Sequence, residues 1–182
     1  MRNPFARRDA VPPDVRARLA PGERVLASAA AEDGTWLLGT RDALLVVGPA
    51  GTGRTRWEDV ESADWDREQS RLRVVEAAPF GLVRREREFT VPDPGRLLPM
   101  VRERVTASVL LQRRVPVPGG GGLTVIARRA PHGADAVTWS CELDPGTDPD
   151  DPEVRRAART GLRAARGELG SEDDVDDDSD PW

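Results

Sequence analysis

The stretch ALLVVGPAGTGRT, Ala43 to Thr55, admits two incompatible folds. Read as a motif, Gly48-Pro-Ala-Gly-Thr-Gly-Arg54-Thr55 follows the phosphate-loop pattern G-x-x-x-x-G-K-[ST] at every position except the lysine. Backbone N–H groups of such a loop cradle phosphates, the Lys reaches the terminal ones and the hydroxyl binds magnesium. Gly48, Gly53, Arg54 and Thr55 would then be nucleotide-binding residues. Read as backbone chemistry, the same letters are a Gly-rich hairpin turn between two strands. The second reading is preferred. Arg54 is a planar fork where the motif needs a compact ammonium. A phosphate loop opens an amphipathic helix, yet Arg56 to Asp66 alternates at least as well as it spirals, and no apolar run ends in the acid that would hold magnesium.

On either side of this stretch the chain punctuates itself as strands. Arg24 to Ala30, Thr35 to Gly39 and Ala43 to Val47 are short apolar runs divided by Glu32-Asp33-Gly34 and Thr40-Arg41-Asp42. A weaker strand is expected over Arg54 to Trp57. Ala63 and Trp65 share one face of Val60 to Asp66, Leu72 and Val74 alternate with Arg71 and Arg73, and Arg87, Phe89 and Val91 oppose Glu86, Glu88 and Thr90. That makes about seven strands, a number that closes a small barrel or sandwich. A helix follows, with Asp93 as a candidate N-cap and Leu97, Leu98, Val101 and Val105 on one side; Pro99 argues for a later start, because proline is tolerated only in a first turn. Strands are then expected over Leu110 to Val117, Leu123 to Arg129 and Val137 to Leu143. In the last, Val137, Trp139, Cys141 and Leu143 face inward and Thr138, Ser140 and Glu142 outward. A final helix, capped by Asp151 and opened by Pro152, runs to about Glu168 before Gly170 stops it. The fold class is α+β: a seven-stranded barrel capped by a helix, then a three-stranded meander and a C-terminal helix.

The expected organisation is an N-terminal arm with a short helix (1–23), the barrel with its capping helix (24–108), the meander and last helix (109–170), and an acidic tail (171–182). All 27 basic residues are Arg, against 32 acids, for a net charge of -5. The missing Lys accompanies abundant Ala, Gly and Pro and is most simply a codon bias, so an Arg has no functional meaning by itself. Seven of the acids lie in Ser171 to Trp182, which contains no base, so the remainder is close to neutral. A block of like charge with so little apolar surface is expected to be disordered. Leu, Ile, Val and Phe make up only about a fifth of the chain, so the core is expected to be lean and supplemented by Ala. One Cys makes no internal disulfide, the N-terminus has no apolar signal region, and no window is apolar enough to span a membrane; a cytoplasmic location is expected.

From Leu19-Ala-Pro-Gly-Glu23 through Gly34-Thr-Trp36, Thr40-Arg41, Trp57-Glu-Asp-Val60 and Ala63-Asp-Trp-Asp66, the chain resembles bacterial PH-like domains of uncharacterised actinobacterial proteins. Leu97 to Glu168 looks like the rest of the same family. The resemblance implies a fold and no activity. It also implies that a phosphoinositide-binding member would have basic residues between its first two strands. Here that loop is Ala31-Glu32-Asp33-Gly34, so lipid headgroup binding of that type is disfavoured.

The remaining constellations are thin. His132 lies between strands with no nucleophile beside it in sequence. Cys141 falls on an inward face, where a thiol behaves as a small hydrophobe. One His and one Cys are too few for a tetrahedral zinc site. The acids from Asp144 to Glu153 miss the spacing of a calcium loop and are explained by helix capping. In the last helix Val154, Ala158, Leu162, Ala165 and Leu169 form an apolar stripe, flanked by Arg155, Arg156, Arg159, Arg163 and Arg166. With Arg102, Arg104, Arg113, Arg114, Arg128 and Arg129 upstream, that helix could bind an anion or nucleic acid, with the acidic tail masking it in cis. Against this, arginine stems routinely cover an apolar stripe, and no aromatic residues interleave to stack bases. The expectation is a non-enzymatic module that binds another protein, without cofactor or metal.

Overall fold

A computed structural model of the chain describes residues 11–132 and 136–170. The fold is α+β, with three antiparallel sheets. The acidic tail lies outside the described residues.

The first sheet has the order β1 (Ala27–Ala30), β2 (Trp36–Gly39), β3 (Ala43–Gly48) and β4 (Gly51–Arg56). The β1–β2 turn is set by Asp33, whose carboxylate accepts the Thr35 N–H at 2.9 Å, and by Gly34 at φ 82°. β3 and β4 form a hairpin with Gly48 opposite Gly51 and Pro49-Ala50 as the two-residue turn. Its strand therefore begins three residues before the expected one, while the first strand starts three residues late, at Ala27.

A 3-10 turn, Trp57–Asp59, leads into the second sheet of β5 (Val60–Asp66), β6 (Arg71–Glu76) and β7 (Glu86–Thr90). Trp57 is fully buried and its indole N–H donates to the Thr40 carbonyl at 3.2 Å, which holds the turn against the first sheet. A β-bulge between Val60 and Ser62 removes Glu61 from the ladder. The seven strands are thus divided between a ladder of four and a ladder of three, and among the described residues no ladder joins the two into a closed ring. They do share one core. Leu37 and Leu44 of the first sheet meet Leu72 and Val74 of the second, with Leu97, Leu98 and Val101 from the helix between them.

That helix, α1, spans Leu97–Ser108. Asp93 does not cap it: its carboxylate accepts the Gly95 N–H at 3.0 Å in a separate turn, and Gly95 at φ 45° breaks the path before the helix begins. Pro99 consequently sits in the first turn, where its missing N–H costs nothing. The outer face of the first sheet is covered too. Val11 and Val15 of the N-terminal arm, whose helical part is only Pro13–Arg16, pack on Leu38, Leu45 and Val47.

The third sheet has the order β10 (Thr138–Leu143), β9 (Gly122–Arg128), β8 (Val109–Pro116). One face carries Leu123, Val125 and Cys141 and packs on α2, Pro152–Leu169, through Val154, Ala158, Leu162 and Ala165. Asp151 caps this helix as expected, accepting the Glu153 N–H at 2.8 Å, and Gly170 ends it at φ 66°. At Gly161 an added Cβ would lie 2.5 Å from a Val115 methyl, so the helix rests directly on the sheet. The other face corrects the simple alternation. Ser140, expected outward, is buried, as are Ile126 and Arg128, because this face lies against the first unit, the one formed by the first two sheets and α1.

Candidate functional site

The four residues of the phosphate-loop pattern are all in the β3–β4 hairpin and open no helix. Gly53 pairs with Val46 in the ladder, and a Cβ there would sit 3.1 Å from the Arg87 guanidinium. Arg54 faces Glu23 at 3.6 Å. Thr55 is buried, and its hydroxyl donates to Glu76 at 2.9 Å while accepting from Arg87 at 2.6 Å. Arg87 also reaches Glu76 at 2.5 Å. The result is a clasp between the edge strand of the first sheet and two strands of the second, the middle β6 and the edge β7. The hydroxyl that a nucleotide would need for magnesium already has its one donor and one of its two acceptor sites engaged.

The arginines of α2 are largely engaged as well. Arg155 bonds Asp150 at 2.5 Å and the Pro149 carbonyl at 3.3 Å, and Arg156 bonds Glu153 at 2.9 Å. Arg166 lies over the Trp139 ring, 5.8 Å from its centroid. Arg163 is exposed. Arg159 is exposed and its side chain makes no ion pair or hydrogen bond among the described residues. On β8, Arg113 pairs with Glu168 and Arg114 with Asp144. Acids therefore meet the arginines of α2 at its N-terminal turn, through Asp150 and Glu153, and lower the field there, while Arg159 and Arg163 are exposed further along.

His132 is exposed beside Arg104. Cys141 is buried, and burial pushes its thiol up to about 12 from an ordinary 9.0, so it remains protonated. Among the described residues no group of three His, Cys, Asp or Glu side chains is placed to hold a metal ion. No described helix is long and apolar enough to cross a membrane.

Sequence reasoning passed over the segment between β6 and β7, Ala77 to Arg85, where the structure brings most of the unusual groups together. Phe80 leaves the first unit and is buried in the core of the third sheet, beside Leu123, Val125 and Cys141. Arg84 pairs with Glu61 at 2.7 Å and donates to the Cys141 carbonyl at 3.3 Å. Next to this pair, the buried Arg128 donates to the Glu61 carbonyl at 3.1 Å and to the Ser108 hydroxyl at 3.2 Å. Burial raises the Glu61 carboxyl above its ordinary value; Arg84 opposes that rise and the Glu142 charge adds to it. Burial likewise lowers the Arg128 guanidinium, against the pull of Glu142 and Glu61.

The tip of the same segment is apolar and exposed. Leu82 is 63% exposed and Val83 95%. Both line a cleft of about 240 Å³ at the junction of the two units, with Pro79 on their side and Cys141, Leu143 and Pro149 opposite. The turn is held by a Leu82 N–H bond to the Pro79 carbonyl at 3.1 Å. The only available signal in the sequence is three large apolar residues, Phe80, Leu82 and Val83, in a stretch between strands where polar turn residues are the norm. No family model, curated protein or solved structure matches the chain.

Proposed function

We propose that this chain is a non-enzymatic, cytoplasmic binding module for another protein, built on a PH-like unit over residues 24–108. The order of four strands, three strands and a helix supports the PH-like reading, as does the single core shared by both sheets and α1. The observation that carries the binding reading is the Leu82–Val83 tip beside its junction cleft. Two adjacent apolar side chains held in water on an anchored loop carry a hydration cost that a partner would relieve by covering them, and clefts between packed units are common binding positions. The polar clusters support it from the other side. The Thr55, Glu76 and Arg87 clasp and the Glu61, Arg84 and Arg128 junction serve the packing of the chain on itself.

The test is affinity capture from the native host with the full chain and with the Leu82→Asp, Val83→Asp double variant. A set of proteins retained by the first and lost from the second is expected. Identical sets overturn the assignment to this tip.

A further inference from the structure

We propose that the acidic segment Ser171 to Trp182 lies back along α2 and seats Trp182 in the cleft, so that the chain covers its own Leu82–Val83 tip. The inference rests on the binding reading above and names how that site is regulated.

Charge and reach select this occupant. Arg155, Arg159 and Arg166 recur at intervals of four and seven residues and so share one flank of α2. Arg166 fixes where that flank looks, because it lies over Trp139 of β10, the edge strand of the third sheet. The cleft is built on the same strand, through Cys141 and Leu143. At strand spacing Leu143 is only about 13 Å beyond Trp139. Ser171 therefore leaves α2 at one end of a short path whose other end is the cleft. Along it the exposed Arg159 side chain has no partner among the described residues. The acids of α2 and of the turn before it are engaged elsewhere: Glu168 with Arg113 on β8, at the opposite edge of the sheet, and Asp150 and Glu153 with Arg155 and Arg156. The carboxylates of Glu172, Asp173, Asp174, Asp176, Asp177 and Asp178 supply the missing counter-charge.

The far end of the segment changes character together with the path. Ser179 to Trp182 holds one acid and an indole, and the cleft is apolar where they arrive, with Pro79, Leu82 and Val83 on one wall and Leu143 and Pro149 on the other. Its volume of about 240 Å³ exceeds the roughly 150 Å³ of an apolar cavity that takes up benzene. Twelve residues span up to about 40 Å when extended, against about 27 Å for the whole of α2, so the segment covers the path with slack. A tether of this length gives Trp182 a local concentration in the millimolar range, at which a contact too weak to form between separate molecules is populated within one.

Paramagnetic broadening in the full chain tests this. Ser179→Cys carries a nitroxide; Cys141 is buried and protonated, so the label goes to position 179. The Leu82 and Val83 methyl signals are expected to lose most of their intensity, to recover when Trp182→Ala is added, and to recover in part with Arg159→Glu or on raising salt to about 0.5 M. In a mixture of spin-labelled chain and isotope-labelled, spin-free chain the methyls should stay sharp, as an internal contact requires. Methyls untouched by the nitroxide, or broadened only in the mixture, overturn the proposal, the second outcome assigning the tip to another copy. In capture from the native host, Trp182→Ala is expected to raise the retained proteins about threefold, as freeing a face that is open a third of the time would. If the methyls stay sharp but the Leu82→Asp, Val83→Asp variant loses captured proteins, the cover falls and the binding reading stands. If they broaden but that variant loses nothing in capture, the binding reading falls and the regulation falls with it.

Discussion

The β3–β4 hairpin and the β6–β7 segment are both connections within a sheet, and they carry opposite kinds of information. The hairpin spells a near-complete phosphate loop, but Gly53 is a rung of its own ladder beside Arg87, Arg54 faces Glu23, and Thr55 is engaged in holding two sheets together. The β6–β7 segment spells no motif, but it places an anchor in a foreign core and two apolar side chains in solvent. A motif is a set of letters in order. A site also needs groups with unspent hydrogen-bonding or apolar surface, and only the fold determines which groups those are.

The β6–β7 anchor carries the largest expected effect. Phe80→Ala should destabilise the protein by about 3–5 kcal/mol, the range for a buried phenyl, measured by urea denaturation. A loss under about 1 kcal/mol would make Phe80 a passenger. Directly below the cleft, the Cys141 thiol at about 12 instead of 9.0 holds about a thousandfold less thiolate at neutral pH. Its alkylation in the native protein should therefore be slower than in urea by at least that factor. Equal rates would show that the cleft opens onto the sulfur.

The hairpin offers smaller effects. Thr55→Val removes the hydroxyl and leaves Arg87 and Glu76 paired, so a loss of about 1–2 kcal/mol is expected. Neither form should bind ATP–Mg at millimolar concentration by calorimetry; saturable binding lost in the variant would reverse the contrast between the two connections. The smallest effect concerns Glu61. Because its folded carboxyl titrates above the ordinary 4.5, its contribution to stability is complete below that value and is lost as pH rises through the raised one. The stability of Glu61→Gln relative to wild type should therefore improve from about pH 4 to about pH 7. A difference independent of pH would remove burial as the dominant influence on this group.

What the sequence made legible follows from period and punctuation. Leu72, Val74, Val91 and the stripe from Val154 to Ala165 are buried as their spacing predicts, Phe89 is partly buried on the same core, and Asp151 and Gly170 bound α2. The departures come from tertiary contact in one case and from a local turn in another. Ser140 was expected outward because alternation assumes that one face of a strand meets water, whereas the polar face of the third sheet is covered by the first unit. Asp93 looked like a cap, but the chain turns at Gly95 first. The partnership of Thr55 with Arg87 spans 32 positions, and neither residue announces the other. The β6–β7 tip was illegible for a plainer reason: exposure of Leu82 and Val83 is a property of where the loop ends, and periodicity does not reach beyond the strands.

The placement of Phe80 has a consequence for the order in which the chain is made. Its covalent neighbours belong to the first unit, but the pocket that receives it is built by residues that come after Val109. During synthesis the first unit must therefore emerge with a phenyl ring on its loop and nowhere to put it, a window in which a chaperone or another nascent chain can bind. A fragment ending at Ser108 would hold that window open permanently.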